Sequence, residues 1–582
     1  MNCFGKWISR YFPVIQIVFI LVWLSNLAAT DSYFSVYVIL AFLSFYLILR
    51  RKENCVSVDG WKKAGLILLS SVFSFAVLLA NYPLFTTLGD PALIGRSTSI
   101  LMNLINSLLT FAGGICAAYP ILNAAFFVFP MTGNGCPQKV KWVTPLLVFL
   151  SIVCINLIHL FLVEYPGNLT EDTFTQISEM ISGSYSNFNT FWHTLILQGI
   201  FSVGYSLFGN LNAAVALFCV LQTIVLAFAF TYTLMTMHQY GVPRAALVAV
   251  YLIYGVLPYN MALSITIWKD VLFAAGCLLT LTAWMRIQKR LSLHTVFDYL
   301  VFVFGSLVVL LARTNGWIIY CATFVIVGFF IRRNRKLLAL MGSFAVLGWF
   351  LLNPALSMLG VPGGDLAESL SIPIQQVSRV VADGCELTAE EETLLSHVVD
   401  LEEVPQLYTN WISDPMKVEL RSKDYSYFQE HFEEYVQLWI RLGLKHPWEY
   451  VKAWVDQTKG YWNGGYDYAM YSETVTDNPY GVEKTGGGNI IASLFRLYFG
   501  LSRHLIFFEP LHSIGLHIWL LILCFLVNGV KKREVWMLCV PLLILVVGLW
   551  LGTPVYSCFR YAYPIFVCLP LLLTTTLFSG KE

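Results

Sequence analysis

Two adjacent acidic residues, Glu171 and Asp172, follow an apolar stretch and the sequence YPG at 165–167. Thr170, directly before them, is a typical N-cap residue, and acidic side chains in a first helical turn are stabilised by free amides and the helix dipole. The position also suits a general base, because a carboxylate held at a membrane surface can take a proton from a hydroxyl group. The spacing alone leaves both interpretations open.

Three basic residues, Lys269, Arg313 and Arg560, lie at the ends of apolar stretches. Long basic side chains in such places commonly extend to the membrane surface or pair with acids such as Asp270. The alternative is that several of them converge on one phosphate, whose negative charge they would stabilise. Arg313, followed by Asn315, is the first candidate because a buried guanidinium requires an anion. Arg560 is the second and Lys269 the third.

A further polar group, Gln375, Gln376 and Arg379, lies on a helix that we predict after Pro373. These side chains would line a cleft for an acceptor, although an ordinary solvated helix explains them equally well. The aromatic-rich segment 461–468 suits stacking on sugar faces or seating among lipid headgroups. No Cys or His spacing is typical of a metal site, so we predict no metal and no cofactor and leave a divalent cation open.

The composition identifies the environment in which these residues must work. The 582 residues are 57% hydrophobic and 12% charged, with a mean hydropathy of +0.67. A soluble domain has roughly 25% charged residues, so this chain belongs in a bilayer and is not a cytosolic enzyme, a secreted disulfide scaffold or a disordered protein. The net charge of +1 provides no overall field that would attract nucleic acid.

A helix needs about 20 apolar residues to cross the hydrocarbon layer. We predict fourteen spans, at 12–30, 33–50, 64–84, 98–120, 143–163, 211–236, 245–262, 270–286, 298–312, 317–331, 337–352, 513–530, 536–551 and 561–578. With both termini in the cytoplasm, basic residues concentrate on the inner side. Four then remain on short outer segments: Arg96, Lys269, Arg313 and Arg560. Counting 191–208 as a span would break this pattern, so we expect it to lie along the outer surface.

The predicted fold is therefore an α-helical polytopic membrane protein with outer juxtamembrane helices and one polar domain. The expected parts are N-terminal membrane helices at 1–142, a membrane module at 143–352 with a first outer loop at 164–210, a polar domain at 353–512 and C-terminal membrane helices at 513–582. The polar domain carries 23 acidic and 11 basic residues, and we expect it to be extracytoplasmic and mostly helical. Within it, Thr388 and Glu391 have the spacing of a capping box.

The order of features around Asp172 resembles the first outer loop of the glycosyltransferase C superfamily. A span is followed by an acidic residue, an interfacial helix, the sequence FWHT at 191–194 and another span. The resemblance implies transfer of a sugar from a polyprenyl phosphate outside the cytoplasm, with Asp172 as the base or Glu171 in its place. His193 is similar to the His of the HPPL-type segment of that superfamily, but both prolines are absent here.

The region 143–575 also looks like a family of Gram-positive multispan proteins with ordered short signatures. In this chain they are YPG at 165–167 with Asp172 and Gln176, KD at 269–270, RTNG at 313–316, PIQQ at 373–376 and RYAYP at 560–564. This resemblance implies location in a bacterial plasma membrane. The two resemblances and the polar group after Pro373 together give the candidate substrate-binding residues, which are His193, Gln176, Asn315, Gln375, Gln376 and Arg379.

Together these features predict an inverting glycosyltransferase that moves a sugar from a polyprenyl-phosphate donor to an acceptor hydroxyl. The expected partners are that donor, an envelope glycan, polymer or protein as acceptor, and membrane lipids, without nucleic acid. A transporter or flippase of lipid-linked glycans is one alternative, which would favour broken helices with ionisable residues at mid-bilayer. A non-catalytic envelope-assembly scaffold is the other, and it would not require Asp172, Arg313 and Arg560 to meet.

Overall fold

The computed structural model describes residues 3–28, 34–50, 60–84, 100–127, 143–289, 291, 295–331, 334–466 and 477–578. These regions are helical, and the β-type pairing within them is limited to isolated bridges. Arg96, Asp467 and Tyr468, which entered the sequence predictions, lie outside the described residues.

We group the helices by the four parts of the chain that the sequence predicts. The N-terminal helices are α1 (Cys3–Leu27), α2 (Phe34–Leu49), α3 (Gly60–Ala80) and α4 (Ile100–Phe127). The helices of the central membrane module are α5 (Val143–Leu162), α6 (Glu171–Ser182), α7 (Phe191–Phe208), α8 (Leu211–Gln239), α9 (Arg244–Val256), α10 (Pro258–Ser264), α11 (Lys269–Lys289), α12 (Thr295–Ala312), α13 (Thr314–Gly328) and α14 (Arg335–Leu352).

The remaining helices belong to the polar domain and the C-terminal region. The polar domain contains α15 (Pro354–Met358), α16 (Leu366–Ser369), α17 (Ser371–Ala382), α18 (Ala389–Ser396), α19 (Val404–Leu407), α20 (Asp414–Ser422), α21 (Tyr425–Glu430), α22 (Phe432–Lys445), α23 (Pro447–Thr458), α24 (Ile490–His504) and α25 (Glu509–His512). The C-terminal helices are α26 (Ile514–Val530), α27 (Trp536–Gly552) and α28 (Phe559–Leu577).

The protein is a helical multi-pass membrane protein. Within the described residues, seven helices are long and apolar enough to cross a membrane, or up to eight if the bent pair α9–α10 is one span. The other predicted spans coincide with the shorter apolar helices α1, α2, α12, α13, α26 and α27. Helices therefore occupy all fourteen predicted positions, while the number that cross stays a prediction.

The predicted span 245–262 is not one straight helix, because the chain bends by 45° between α9 and α10. Pro258 begins α10, and Leu257 before it is extended, with φ −60° and ψ 133°. Proline lacks an amide hydrogen and disfavours helical geometry in the preceding residue, so the break lies where the sequence requires it.

Helix α11 lies at the centre of the membrane module and packs against α8, α12 and α28. It is buried along nearly its whole length, as is α28. Its first residue, Lys269, therefore lies at the junction of several helices, and α28 brings Arg560 to the same place from the other end of the sequence.

The polar domain has its own apolar core and is joined to the membrane helices by directed hydrogen bonds. Its core includes Val380, Leu420, Phe428, Leu438 and Leu442. The Trp454 indole N–H donates to the Trp550 carbonyl at 2.7 Å, and the Gln457 amide donates to the Val555 carbonyl at 3.0 Å. These contacts hold α23 against the region between α27 and α28.

The predicted capping box of the polar domain is confirmed. The Thr388 hydroxyl accepts from the Glu391 amide at 3.3 Å, and the Glu391 carboxylate accepts from the Thr388 amide at 2.9 Å. Helix α18 consequently begins at Ala389.

A buried ion pair joins α11 and α12 at the end opposite Lys269. The Arg286 Nε lies 2.7 Å from the Asp298 carboxylate, and their side chains are 7% and 1% exposed. The Tyr232 hydroxyl also donates to Asp298 at 2.8 Å. Since both charges are removed from water, each depends on the other for compensation.

Asp298→Ala should lower the free energy of unfolding by about 3–5 kcal/mol, because it leaves Arg286 buried without its carboxylate. The measurement is the melting temperature of the purified protein in detergent. Glu534→Ala is the control, since the Glu534 side chain is 47% exposed and 3.9 Å from Lys289. That change should stay within about 0.5 kcal/mol of the wild type. Equal losses for the two variants would contradict a structural role for the buried pair.

Candidate functional site

The segment that carries Asp172 is fixed to the segment that carries Lys269. The Asn168 amide donates to the Ile265 carbonyl at 2.9 Å, and the Ile267 amide donates to the Asn168 carbonyl at 3.0 Å. The Thr173 hydroxyl then donates to the Ile267 carbonyl at 2.9 Å. These bonds hold the first turn of α6 beside the residues that immediately precede α11.

Gly167 of the YPG signature permits this pairing. Its φ is +126°, a region that side chains rarely adopt, and a Cβ atom there would come within 2.5 Å of the Cys219 sulfur. Only glycine offers this backbone conformation without a clash.

Gln222 of α8 contacts the chain that connects α10 to α11. Its amide nitrogen lies within hydrogen-bonding distance of the carbonyls of Leu263, Ser264 and Thr266, at 3.1, 3.0 and 2.9 Å. Buried carbonyls after a helix end require donors. One side chain therefore fixes the connection from α10 to α11.

The expected N-terminal cap of α6 is confirmed. Thr170 caps the helix by accepting from the Thr173 amide, and Glu171 and Asp172 occupy the first turn. The two acidic residues differ in environment. Glu171 is exposed and its carboxylate forms no ion pair within the described residues, whereas the Asp172 side chain is 24% exposed and paired.

Asp172 meets two cations from distant parts of the chain. Its Oδ2 lies 2.8 Å from a terminal nitrogen of Arg560 and 3.7 Å from the Lys269 Nζ. The two cationic side chains are 18% and 17% exposed. The group is therefore partly exposed and is not sealed within the core.

Aromatic rings hold the Arg560 guanidinium in position. Its centre lies 5.2 Å from the Trp268 ring and 4.8 Å from the Tyr561 ring, and its other terminal nitrogen donates to the Tyr561 hydroxyl at 2.8 Å. Cations are attracted to aromatic faces, so the rings restrain Arg560 without neutralising its charge.

Arg313 forms a second, more deeply buried ion pair beside this group. One of its terminal nitrogens lies 2.6 Å from Asp270 Oδ1, with side-chain exposures of 8% and 1%. Its guanidinium also lies 5.1 Å from the Tyr561 ring. The anion that a buried Arg313 requires is therefore Asp270, as one of the two sequence interpretations allowed, and Asn315 lies exposed in the next turn.

Gly316 of the RTNG signature lets α13 approach α12. A Cβ atom at this position would lie 2.4 Å from the Val309 carbonyl oxygen. The close packing brings the start of α13, and with it Arg313, toward α11.

His193 and Gln176 lie behind the ion pairs. Both are buried, and the Gln176 amide lies 3.0 Å from the His193 Nδ1 and 2.9 Å from the Thr194 hydroxyl. Burial, together with the charge of Lys269, lowers the pKa of His193 to about 3. This histidine is thus neutral at ordinary pH, and it joins α6 to α7 without reaching the open side of the site.

Asn189 is the residue that the sequence prediction missed. Its side-chain oxygen accepts from the Lys269 Nζ at 2.8 Å, and its side-chain nitrogen donates to the Asp172 backbone carbonyl at 3.3 Å. It is 1% exposed. Its position in the loop before α7 offers no motif, and the amide in an otherwise aromatic stretch is the only sequence signal.

The surrounding charges determine the ionisation of Asp172. Partial burial raises its pKa, but the positive charges of Lys269, Arg560 and Arg313 outweigh this effect and lower it to about 2. The Asp172 carboxylate is therefore charged at ordinary pH and is a weak proton acceptor while its cations are in place.

The polar domain reaches the same region through residues 480–485. Lys484 pairs with Glu164, and the Thr485 amide donates to the Tyr165 carbonyl at 3.1 Å. The Tyr480 ring stacks on Phe174 with ring centres 6.1 Å apart. A segment of the polar domain thus covers the loop that carries Asp172.

Comparison with known proteins identifies the family. The sequence model of a family of unknown function, DUF6020, matches residues 180–582, which is more than half of the chain. The chain belongs to the DUF6020 family. No curated protein and no solved structure gives a significant match.

The DUF6020 match includes the three cations and Asn189 but begins after Asp172 and Gln176. The three cations of the site thus lie in the region that the family model matches, while the Asp172 carboxylate lies just before that region.

The glutamines of the DUF6020 polar domain do not join this group. Gln375 is fully buried, and its amide donates to the Thr409 and Ile412 carbonyls at 2.8 and 3.0 Å. The prediction that Gln375 lines a cleft is wrong, because its side chain is not exposed. Gln376 accepts from the Trp439 indole at 2.8 Å, and Arg379 pairs with Asp456 at 2.8 Å.

The predicted aromatic patch is also mostly interior. Tyr461 and Trp462 are 0% and 5% exposed.

Within the described residues, no three His, Cys, Asp or Glu side chains come close enough to share a metal ion.

The Asp172–Arg560 contact should appear as an energetic coupling. Asp172→Asn and Arg560→Gln should each lower the melting temperature in detergent, and the double variant should lose less than the sum. The coupling should be about 0.5–3 kcal/mol, as for contacting residues. Glu171→Gln is the matched control, because its exposed neighbouring carboxylate should combine additively with Arg560→Gln. Additive losses in both cycles would show that the Asp172 contact contributes nothing.

Proposed function

We propose that this protein is an inverting glycosyltransferase that uses a polyprenyl-phosphate sugar as donor on the outer face of a bacterial plasma membrane. The observation that supports it best is the charge of the cluster. Lys269, Arg313 and Arg560 meet Asp172 and Asp270, so three cations face two carboxylates. These five side chains therefore carry one net positive charge.

A phosphodiester donor matches that charge. A polyprenyl-phosphate sugar carries one negative charge, which neutralises the excess. After transfer the lipid phosphate is a monoester that approaches two negative charges, while a proton on Asp172 leaves the cluster with two positive ones. Donor and product states are therefore both balanced, and no charge needs to be moved across a low-dielectric site.

In the proposed step the acceptor oxygen attacks the anomeric carbon from the face opposite the phosphate. The new carbon–oxygen bond forms as the bond from that carbon to the phosphate oxygen breaks, and the electron pair departs with the phosphate. Asp172 takes the hydroxyl proton, acting as a general base. Arg560 and Lys269 hold the departing phosphate, with Arg313 behind them.

Because Asp172 is paired with cations, the donor must bind in this mechanism before Asp172 can act as the base. Arg560 and Lys269 both contact Oδ2 of the carboxylate. A donor phosphate that binds these cations draws them from Asp172, and its negative charge further raises the pKa of the carboxyl group. Donor binding thus converts a weak base into a stronger one beside the anomeric carbon.

An apolar cavity supports the lipid part of the proposal. A cavity of about 40 Å³ between α11, α12, α13 and α27 is lined by Phe273, Cys277, Val309 and Leu545. Phe273 also lies beneath the Arg313 guanidinium, 5.7 Å away. A prenyl chain attached to a phosphate in the cluster would begin beside this apolar wall, whose side chains offer it hydrocarbon contact.

The alternatives fit the observations less well. A transporter would favour a broken span with ionisable residues at its break. The break between α9 and α10 instead presents Pro258, Tyr259 and Asn260. A scaffold explains the contact between Asp172 and Arg560 as a stabilising ion pair, but it gives no reason for a net positive charge at a partly exposed surface.

Asp172→Asn should reduce sugar transfer by at least about 10²-fold, since general-base catalysis typically contributes 10²–10⁴. The assay uses purified protein in lipid nanodiscs with radiolabelled polyprenyl-phosphate sugars and envelope extract as the acceptor source. Glu171→Gln is the control and should keep its activity. Full activity of Asp172→Asn would refute the assignment of the base, and activity lost only in Glu171→Gln would move it to the neighbour.

The pH profiles of kcat/KM and kcat should show that donor binding raises the pKa of Asp172. With the donor varied, kcat/KM reports the donor-free enzyme, in which the pKa of Asp172 is about 2. Its acidic limb should therefore lie at very low pH. The kcat profile reports the donor complex, so its acidic limb should lie at higher pH, because the phosphate has taken the cations. Coincident limbs would contradict transfer of the cations to the donor.

A further inference from the structure

The polar domain contains a large cavity apart from the ion-pair cluster. It has a volume of about 230 Å³ and lies between α17, α20 and α22. Its lining includes Ile374 and Val377 from α17, Met416 and Leu420 from α20, and Val436 and Leu438 from α22. Among the described residues that line it, Ser378 and Tyr435 carry hydroxyl groups and none is charged.

The aromatic residues of the wall have their polar atoms bound elsewhere. The Trp439 indole N–H donates to Gln376 at 2.8 Å, and the Tyr435 hydroxyl donates to the Leu394 carbonyl at 2.9 Å. Both rings therefore present hydrocarbon to the cavity. A sugar or a polar peptide would lose its hydrogen bonds with water here and find almost none in return.

The volume of the cavity suits a bound apolar ligand. Well-packed interiors leave few voids larger than a water molecule, and a void deprives its lining of dispersion contacts. An apolar cavity of about 150 Å³ in another protein stays free of water and takes up benzene. The present cavity is larger and equally apolar, so an apolar ligand would restore the missing contacts.

An exposed apolar stripe leads from the cavity along α22. Val436, which lines the cavity, is 37% exposed, and Ile440 and Leu444 at successive four-residue steps are 48% and 81% exposed. Such spacing places the three side chains on one face of the helix. The stripe gives an extended chain an apolar path into the cavity, which a compact ligand would not need.

We propose that this cavity of the polar domain binds a hydrocarbon chain of a lipid. The site is separate from the ion-pair cluster and does not depend on the proposed transferase activity. Two sources have the required chemistry: the acyl chain of a membrane lipid and the prenyl chain of a lipid-linked glycan. In either case the chain lies along Val436 and enters between α17 and α22.

The test uses the full-length protein in nanodiscs with two photoactivatable probes, a diazirine-bearing palmitate and a diazirine-bearing prenyl phosphate. Labelled peptides are identified by mass spectrometry. We expect label on α17, α20 or α22, with the palmitate probe indicating an acyl source and the prenyl probe a lipid-linked one. Absence of label from all three helices with both probes would overturn the proposal.

Matched valine substitutions make the result specific. Val377→Trp fills the cavity and should reduce labelling of these helices at least tenfold. Val418→Trp is the control, because Val418 on α20 is 62% exposed and outside the lining, and it should label like the wild type. Equal labelling of the two variants would place the bound lipid elsewhere and overturn the proposal.

A second variant covers the case in which Val377→Trp does not fold. Val436→Glu adds a charge at the partly exposed mouth without adding bulk to the interior, and it should also reduce labelling tenfold. In addition, unlabelled palmitate or prenyl phosphate should raise the melting temperature of the wild type but not of Val436→Glu, since a ligand stabilises only the state that binds it. An equal shift in both proteins would count against the cavity.

Discussion

The contact between Asp172 and Arg560, 2.8 Å long, joins the first loop of the central membrane module to the last helix of the chain. Charged side chains that are taken out of water are costly unless they are paired. Lys269 at the start of α11 and Arg313 at the start of α13 are subject to the same constraint. The fold meets this constraint by bringing α6, α11, α13 and α28 to one place. There the carboxylates compensate the cations, and aromatic rings contact the guanidinium groups of Arg313 and Arg560.

Local features of this arrangement could be predicted from the sequence. Thr170 and Thr388 are recognisable as caps because a cap depends on residues three positions apart. The cations at helix ends were visible as rare charges in an apolar chain. The positions of the apolar helices followed from hydropathy, although the break at Pro258 required attention to a single proline within a favourable run.

The pairing of these residues could not be predicted, because it depends on packing between distant segments. Nothing in the sequence around Asp270 says that it compensates Arg313 while Asp172 compensates Arg560. Asn189 bonds to Lys269, 80 positions away, and has no motif of its own. Gln375 has a polar type and a plausible helix position, yet it serves two backbone carbonyls in the interior. Residue type indicates which groups need partners, and only the tertiary structure says which partners they have.

The cluster answers two requirements that would otherwise conflict. An unpaired, partly buried carboxylate would be poorly solvated, so pairing with Arg560 and Lys269 stabilises the folded protein. The same pairing lowers the pKa of Asp172 to about 2 and makes it a poor base. In the proposed reaction, a donor phosphate that competes for the two cations would remove this limitation when a base is needed. Under that proposal, folding and catalysis use the same cations in turn, because the donor replaces in the complex the negative charge that Asp172 provides in the free protein.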